Sequence, residues 1–258
     1  MIGEIAAAHP NRAIHTPSNI MKRTSLLASL GLALTSVYAT AAATLTSGHV
    51  DAIGIGYDGT DLDPHSHVEG GIVDGNLEPD AEFAPGDLIV QTSTTSLRLP
   101  GAAWDAIGVA VGQSFWSLPE TDIPGQPFAG FGAEELAPAD WSTPITITLT
   151  GMMGPAGGQF SLWQTDGLGA PTFFMSTLGG VSAADTYSMN LNVSSHQHFG
   201  WGFTAEGTYD LTFKIDGTHV TDGAKTATAT YKFSAIPEPS SALLGAFGAL
   251  AILRRRRN

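Results

Sequence analysis

The amino-acid sequence predicts an all-β protein, an antiparallel β-sandwich of the jelly-roll or immunoglobulin-like kind. Three observations carry this. Several segments alternate apolar and polar residues with period two, the pattern of a strand with one buried face. The 258 residues include 31 Gly and 15 Pro, and many of these fall between the alternating segments, where they make turns and oppose long helices. No stretch of the body keeps a 3.6-residue apolar period, and 132–136 is at most one helical turn.

In chain order, the first alternating segment is 53–57, Ile-Gly-Ile-Gly-Tyr. The cleanest is Ile145-Thr146-Ile147-Thr148-Leu149-Thr150, apolar on one face and Thr on the other. Segments 187–193 and 209–215 follow the same rule, and 87–92, 106–111, 159–163 and 226–233 are weaker versions of it. Turn signals separate them, as in Asp58-Gly59-Thr60-Asp61 and Asp216-Gly217-Thr218. The expected core is Trp201, Phe203, Leu211, Phe213, Ile145, Ile147 and Leu149. Phe199, Trp201 and Phe203 alternate, so they point one way while His196, His198 and Gly200 point the other. Without an internal repeat or a linker before Ser234, 42–235 reads as one domain.

Composition excludes several functions. The chain has no Cys, which removes disulfide scaffolds, thiolate metal sites, iron–sulfur clusters and Cys nucleophiles. The body from 42 to 235 keeps only Arg98, Lys214, Lys225 and Lys232 against 22 acids. So acidic a surface repels phosphate backbones, and no nucleic-acid partner is expected. With 14% charged and 43% apolar residues, the composition is that of a folded chain.

The two ends read as addresses. Met21-Lys22-Arg23 followed by the apolar run to Leu34 and the small residues Ala39-Thr40-Ala41 forms a secretion signal. The expected signal region is 1–41, with cleavage after Ala41 or, alternatively, Ala43, and with translation starting at Met21. At the other end, 236–258 begins Ile236-Pro237-Glu238-Pro239, continues through the uncharged segment 240–253 and ends in Arg254, Arg255, Arg256, Arg257 and Asn258. The apolar stretch is a short membrane helix, oriented by the arginines. Pro237, Glu238 and Pro239, the apolar helix and the Arg cluster together resemble the PEP-CTERM sorting signal. The resemblance implies processing by an exosortase after signal peptidase. It also implies transient inner-membrane anchoring, then delivery to the surface, outer membrane or extracellular matrix of a Gram-negative bacterium with an extracellular polysaccharide system.

Within the body, Gly54-Ile55-Gly56-Tyr57-Asp58-Gly59 matches a dinucleotide-binding pattern, but an acidic turn with Pro64 follows where a helix is required. Those glycines fit a bent strand instead. Asp58, Asp61 and Asp63 miss calcium-loop spacing and read as a solvated turn. The histidines stand out: His49, the pair His65 and His67, and the pair His196 and His198. Residues i and i+2 of a strand share a face with Cα atoms about 6.5–7 Å apart, so each pair can hold one ion. Imidazoles suit Zn²⁺ or Cu²⁺. The expectation is a single transition-metal site from all five, with ordinary surface histidines as the alternative; His219 reads as plain surface.

Ser47-Gly48-His49-Val50-Asp51 and His196-Gln197-His198-Phe199-Gly200-Trp201-Gly202-Phe203-Thr204, with Glu206-Gly207-Thr208-Tyr209 following, carry a family resemblance. The stretches resemble the choice-of-anchor M surface domain, and the second also resembles the short actinobacterial surface-anchored repeat. Trp116-Ser117-Leu118-Pro119 and the segment 157–163 sit between them in the order the family shows. Gly200 departs from the family, which often has Asn before the Trp. The resemblance covers about 45–235 and implies an exported domain whose members end in different anchors.

No catalytic motif appears, so the expectation is a non-enzymatic surface or matrix protein that captures a metal ion or extracellular polysaccharide. The alternative is a secreted hydrolase using paired carboxylates on polysaccharide.

Overall fold

The computed structural model describes residues 41–142 and 144–237. The expected signal region up to Thr40 lies outside these, as do Glu238, Pro239, the expected membrane helix and Arg254, Arg255, Arg256 and Arg257.

The chain opens with a long strand, β1 (Ala43–Tyr57), and turns back into β2 (Leu62–Val73). The Asp58 carboxylate accepts from the N–H groups of Thr60 and Asp61 and closes that turn, as expected of an Asx turn. Then come β3 (Asn76–Glu78), β4 (Ala81–Phe83), β5 (Leu88–Thr92), β6 (Thr95–Leu97), β7 (Ser114–Leu118) and β8 (Pro127–Gly132). The second half supplies β9 (Ile145–Met153), β10 (Phe160–Thr165), β11 (Pro171–Ser176), β12 (Thr186–Met189), β13 (His196–His198), β14 (Gly200–Phe203), β15 (Gly207–His219) and β16 (Gly223–Ala235). Among the described residues the only helical pieces are 3₁₀ turns at Ala102–Ile107 and Pro138–Asp140.

Two sheets form the sandwich. The larger runs β12-β9-β15-β16-β5-β1-β2-β3, with β4 also on β2, β8 on β1, and β13 on β8. The smaller runs β11-β10-β14-β7-β6. Their facing sides share one apolar core. All seven residues expected there are at most 1% exposed. Trp201 stacks on Phe233 of the opposite sheet at 4.8 Å between ring centroids, and Phe131 meets it edge-on at 5.7 Å. Burying each such side chain stabilises the fold by about 1.5–3 kcal/mol. Entering β15, the Tyr209 hydroxyl donates to the Ala205 carbonyl at 2.8 Å and accepts from its N–H at 3.0 Å, an arrangement like the tyrosine corner of sandwich folds.

Three sequence expectations change. The sheets are mixed: β1 runs parallel to β5 and β8, and β5 runs parallel to β16. Period-two alternation marks a buried face and carries no sign of pairing direction. Segment 106–111 is no strand; a 3₁₀ turn ends there on Gly108 at φ +87°, and only Ile107 of that turn is buried. Segment 187–193 stops being a strand at Met189, because the Asn190 side chain and carbonyl accept from Asn192 and Val193 and fold the chain into a turn.

Candidate metal centre

The strands β2, β1, β8 and β13 lie side by side, and their registers bring the predicted histidines into two rows. One row reads His67, Asp51, Gly130, His198. The next reads His65, Gly54, Gly132, His196. Residues paired across strands point to the same face. A register shift between Asp51 and Gly54 makes this possible, since two residues three apart could not otherwise share a face. Beyond it, Ile53 and Ile55 enter the core while Gly54 and Gly56 face the site.

His49, two residues before Asp51, joins the same face. Its Nε2 lies 3.1 Å from His196 Nε2 and 3.1 Å from His198 Nε2. Asp51 Oδ1 also lies 3.1 Å from His196 Nε2. That oxygen is buried and has no other hydrogen-bond partner. Each of the three imidazoles thus places a nitrogen within 4.8 Å of the other two, while Asp51, Glu134 and His196 form a second group that overlaps the first only at His196. Tetrahedral ligands with bonds of about 2.0–2.1 Å stand about 3.3–3.4 Å apart, so a few tenths of an ångström of relaxation fits a Zn²⁺-sized ion.

The outer shell orients the rings. His49 Nδ1 faces Glu69 Oε2 at 3.2 Å, and His196 Nδ1 faces Glu134 Oε1 at 2.7 Å. A proton held on each Nδ1 leaves Nε2 as the coordinating atom. The His198 ring stacks on Phe128 at 3.4 Å between centroids, with its buried Nδ1 turned to the bare backbone of Gly130. Gly130 and Gly132 are required for space: a Cβ at 130 would lie 3.0 Å from His198 Nδ1, and one at 132 would lie 2.1 Å from Asp51 Oδ2.

Charge separates two of the imidazoles. The carboxylates of Asp51 and then Glu134 raise the His196 pKa to about 10. Burial, and then the neighbouring imidazoles of His196 and His49, push that of His198 down to about 4. In the metal-free protein, His196 is an imidazolium between two carboxylates and His198 is a neutral donor.

His49, His196 and His198 are thus brought together, and His65 and His67 are not. β2 stands three strand spacings from β13, about 14 Å, too far for one ion to join the two pairs. His67 Nε2 instead meets Asp80 Oδ1 at 2.8 Å. Burial opposes its charge, but the Asp80 bond and Glu69 raise its pKa above the ordinary value. His65 Nδ1 bonds the Asp63 carbonyl at 3.0 Å. His219 is not plain surface: Tyr57 and Trp141 pack its ring at 4.9 and 5.3 Å, and Asp222 meets its Nδ1 at 3.0 Å. Sequence reasoning missed Asp51 and Glu134 as site groups. A signal for the floor was present in Phe128-Ala129-Gly130-Phe131-Gly132, where alternate glycines in a strand mark close approach of other groups.

No family model, curated protein or solved structure matches the chain.

Proposed function

We propose that this chain is an exported bacterial surface or matrix protein whose β domain captures a transition-metal ion, Zn²⁺ or Cu²⁺, through His49, His196 and His198, with Asp51 beside His196. The observation that carries the reading is the convergence of three imidazoles, with His49 Nε2 lying 3.1 Å from the Nε2 atoms of both His196 and His198. Imidazole-rich donor sets favour these ions, and the acidic surface attracts cations toward them. Binding without turnover is preferred over hydrolysis because the sequence carries no catalytic motif beside the histidines. Export and sorting rest on the two chain ends: the signal pattern from Met21, and the resemblance of 236–258 to a sorting signal read by an exosortase.

Metal analysis and calorimetric titration of the full-length chain with Zn²⁺ and Cu²⁺ test the site. One tight equivalent is expected, lost in His49→Ala and His198→Ala. Equal weak uptake by all three proteins overturns the reading. Polysaccharide hydrolysis abolished by Asp51→Asn would replace it with the hydrolase alternative. Mass spectrometry of surface material tests the sorting: a surface form lacking 1–41 and the arginines is expected, and an intact cytoplasmic chain rules it out.

A further inference from the structure

On the β2 side of the same face lies a second set of donors that the tri-histidine centre does not use. His65, Glu82 and Glu135 each offer an atom within 4.8 Å of the others. They come from β2, β4 and the turn after β8, and His65 and Glu135 border a cleft of about 220 Å³ also lined by Asp51 and Glu134.

His65 is built into place. Its residue is 8% exposed. Its ring lies over bare backbone, since a Cβ at Gly54 would sit 2.6 Å from Nε2. A Cβ at Gly56 would likewise sit 2.6 Å from Glu135 Oε2. The Asp63 carbonyl, 3.0 Å from Nδ1, can only accept. That contact fixes the ring and leaves Nε2 facing the cleft, where Glu135 Oε1 lies 3.2 Å away. A cation between the two would be held by both, and Glu82 supplies a third donor.

We propose that His65, Glu82 and Glu135 form a second divalent-cation site, distinct from the tri-histidine centre and beside that cleft. One imidazole and two carboxylates make a harder donor set than three imidazoles, suited to Mn²⁺ and ions like it. The glutamates are largely solvent-facing, with the Glu135 side chain 50% exposed, so this ion exchanges faster and binds more weakly than the first. The proposal stands whether or not the tri-histidine centre holds metal.

The test uses Mn²⁺ as the probe, with the loss of its free-ion electron paramagnetic resonance signal as the readout, on the full-length chain. His198→Ala disables the first centre and should still take up one Mn²⁺. His198→Ala/Glu135→Gln should bind at least about tenfold more weakly. His65→Gln in the same background should behave alike, but Glu135 is the better probe because its half-exposed side chain is free to change without unfolding the domain. Thermal unfolding of each variant checks the fold. Unchanged Mn²⁺ affinity on Glu135→Gln in a folded protein overturns the proposal. So does absence of Mn²⁺ uptake by the folded His198→Ala variant.

Discussion

Asp51 Oδ1 lies 3.1 Å from His196 Nε2 although the strands that carry them never pair. β8 runs between β1 and β13, and Gly132, with no side chain, lets the carboxylate lean across. Gly132→Ala puts a methyl group 2.1 Å from Asp51 Oδ2 and forces that carboxylate aside. Zn²⁺ affinity should fall about 10–100-fold, for an overpacking cost of about 1–3 kcal/mol in stability. Calorimetric titration beside chemical denaturation separates the two effects. Wild-type affinity in the alanine variant would remove Asp51 from the site.

His49→Ala and His198→Ala each delete a donor and should weaken Zn²⁺ by more than about 100-fold, since loss of an outer partner alone costs about 10–100-fold. His67→Ala, whose ring bonds Asp80, should leave Zn²⁺ affinity within about threefold of wild type, because that residue offers the ion nothing. Competition against a chromophoric chelator measures all three, and a His67 effect as large as the other two would restore a site reaching β2.

Glu134→Gln tests the outer shell. The glutamate holds His196 Nδ1 at 2.7 Å. Its neutral replacement should lower Zn²⁺ affinity about 10–100-fold and bring the His196 pKa down toward the ordinary range. Nuclear magnetic resonance titration of the imidazole gives the second number, and an unmoved pKa would mean that Asp51 alone sets it.

Metal uptake should release protons. His196, raised to about 10, carries a proton at pH 7 that the ion must displace. About one proton leaves per Zn²⁺, and affinity climbs about tenfold per pH unit through neutrality. Calorimetry in two buffers of different ionisation heat counts it; no release at pH 7 would show that His196 is already neutral. The same shifts set the stability of the metal-free fold. Because the folded His196 pKa exceeds the unfolded value of about 6.5, its contribution is full below that pH and fades as pH rises toward about 10. His198, lowered to about 4, works oppositely: its contribution is full above about 6.5 and is lost as pH falls toward 4.

Tyr209→Phe removes both hydroxyl hydrogen bonds to Ala205 and should cost about 1–3 kcal/mol in unfolding free energy. Zn²⁺ affinity should not move, since the hydroxyl bonds Ala205 and no donor of the site. Denaturation midpoints decide this; a neutral substitution would show that the corner does not stabilise the sandwich.

The core was the most legible part of the chain. Ile145, Ile147, Leu149, Trp201 and Phe203 alternate with polar residues, and a buried face leaves no other pattern. The direction of β1 against β5 and β8 was not legible, because a side chain reads the same whichever way its neighbour runs. At the site, the histidine pairs were visible as chemistry, but which of them share an ion depends on register. Gly130 and Gly132 make His196 and His198 reachable from His49 and Asp51, while two strands separate them from His65. Such distances arise only once strands far apart in sequence are laid side by side. The Asp51 register shift is equally silent in sequence, since Asp51-Ala52-Ile53-Gly54 carries no irregular residue but the glycine.

The last strand also decides how the domain bears force. β16 is 13 residues long and hydrogen-bonded to β15 along its length and to β5 at its final residues. Trp116 Nε1 donates to the Ile236 carbonyl just beyond it. A pull applied where the chain leaves at Pro237 runs along β16, across the direction of its ladder bonds. Those bonds are loaded together rather than opened one after another. The domain is thus clamped in shear at its C-terminal exit and can resist mechanical tension there better than a hairpin peeled from its open end.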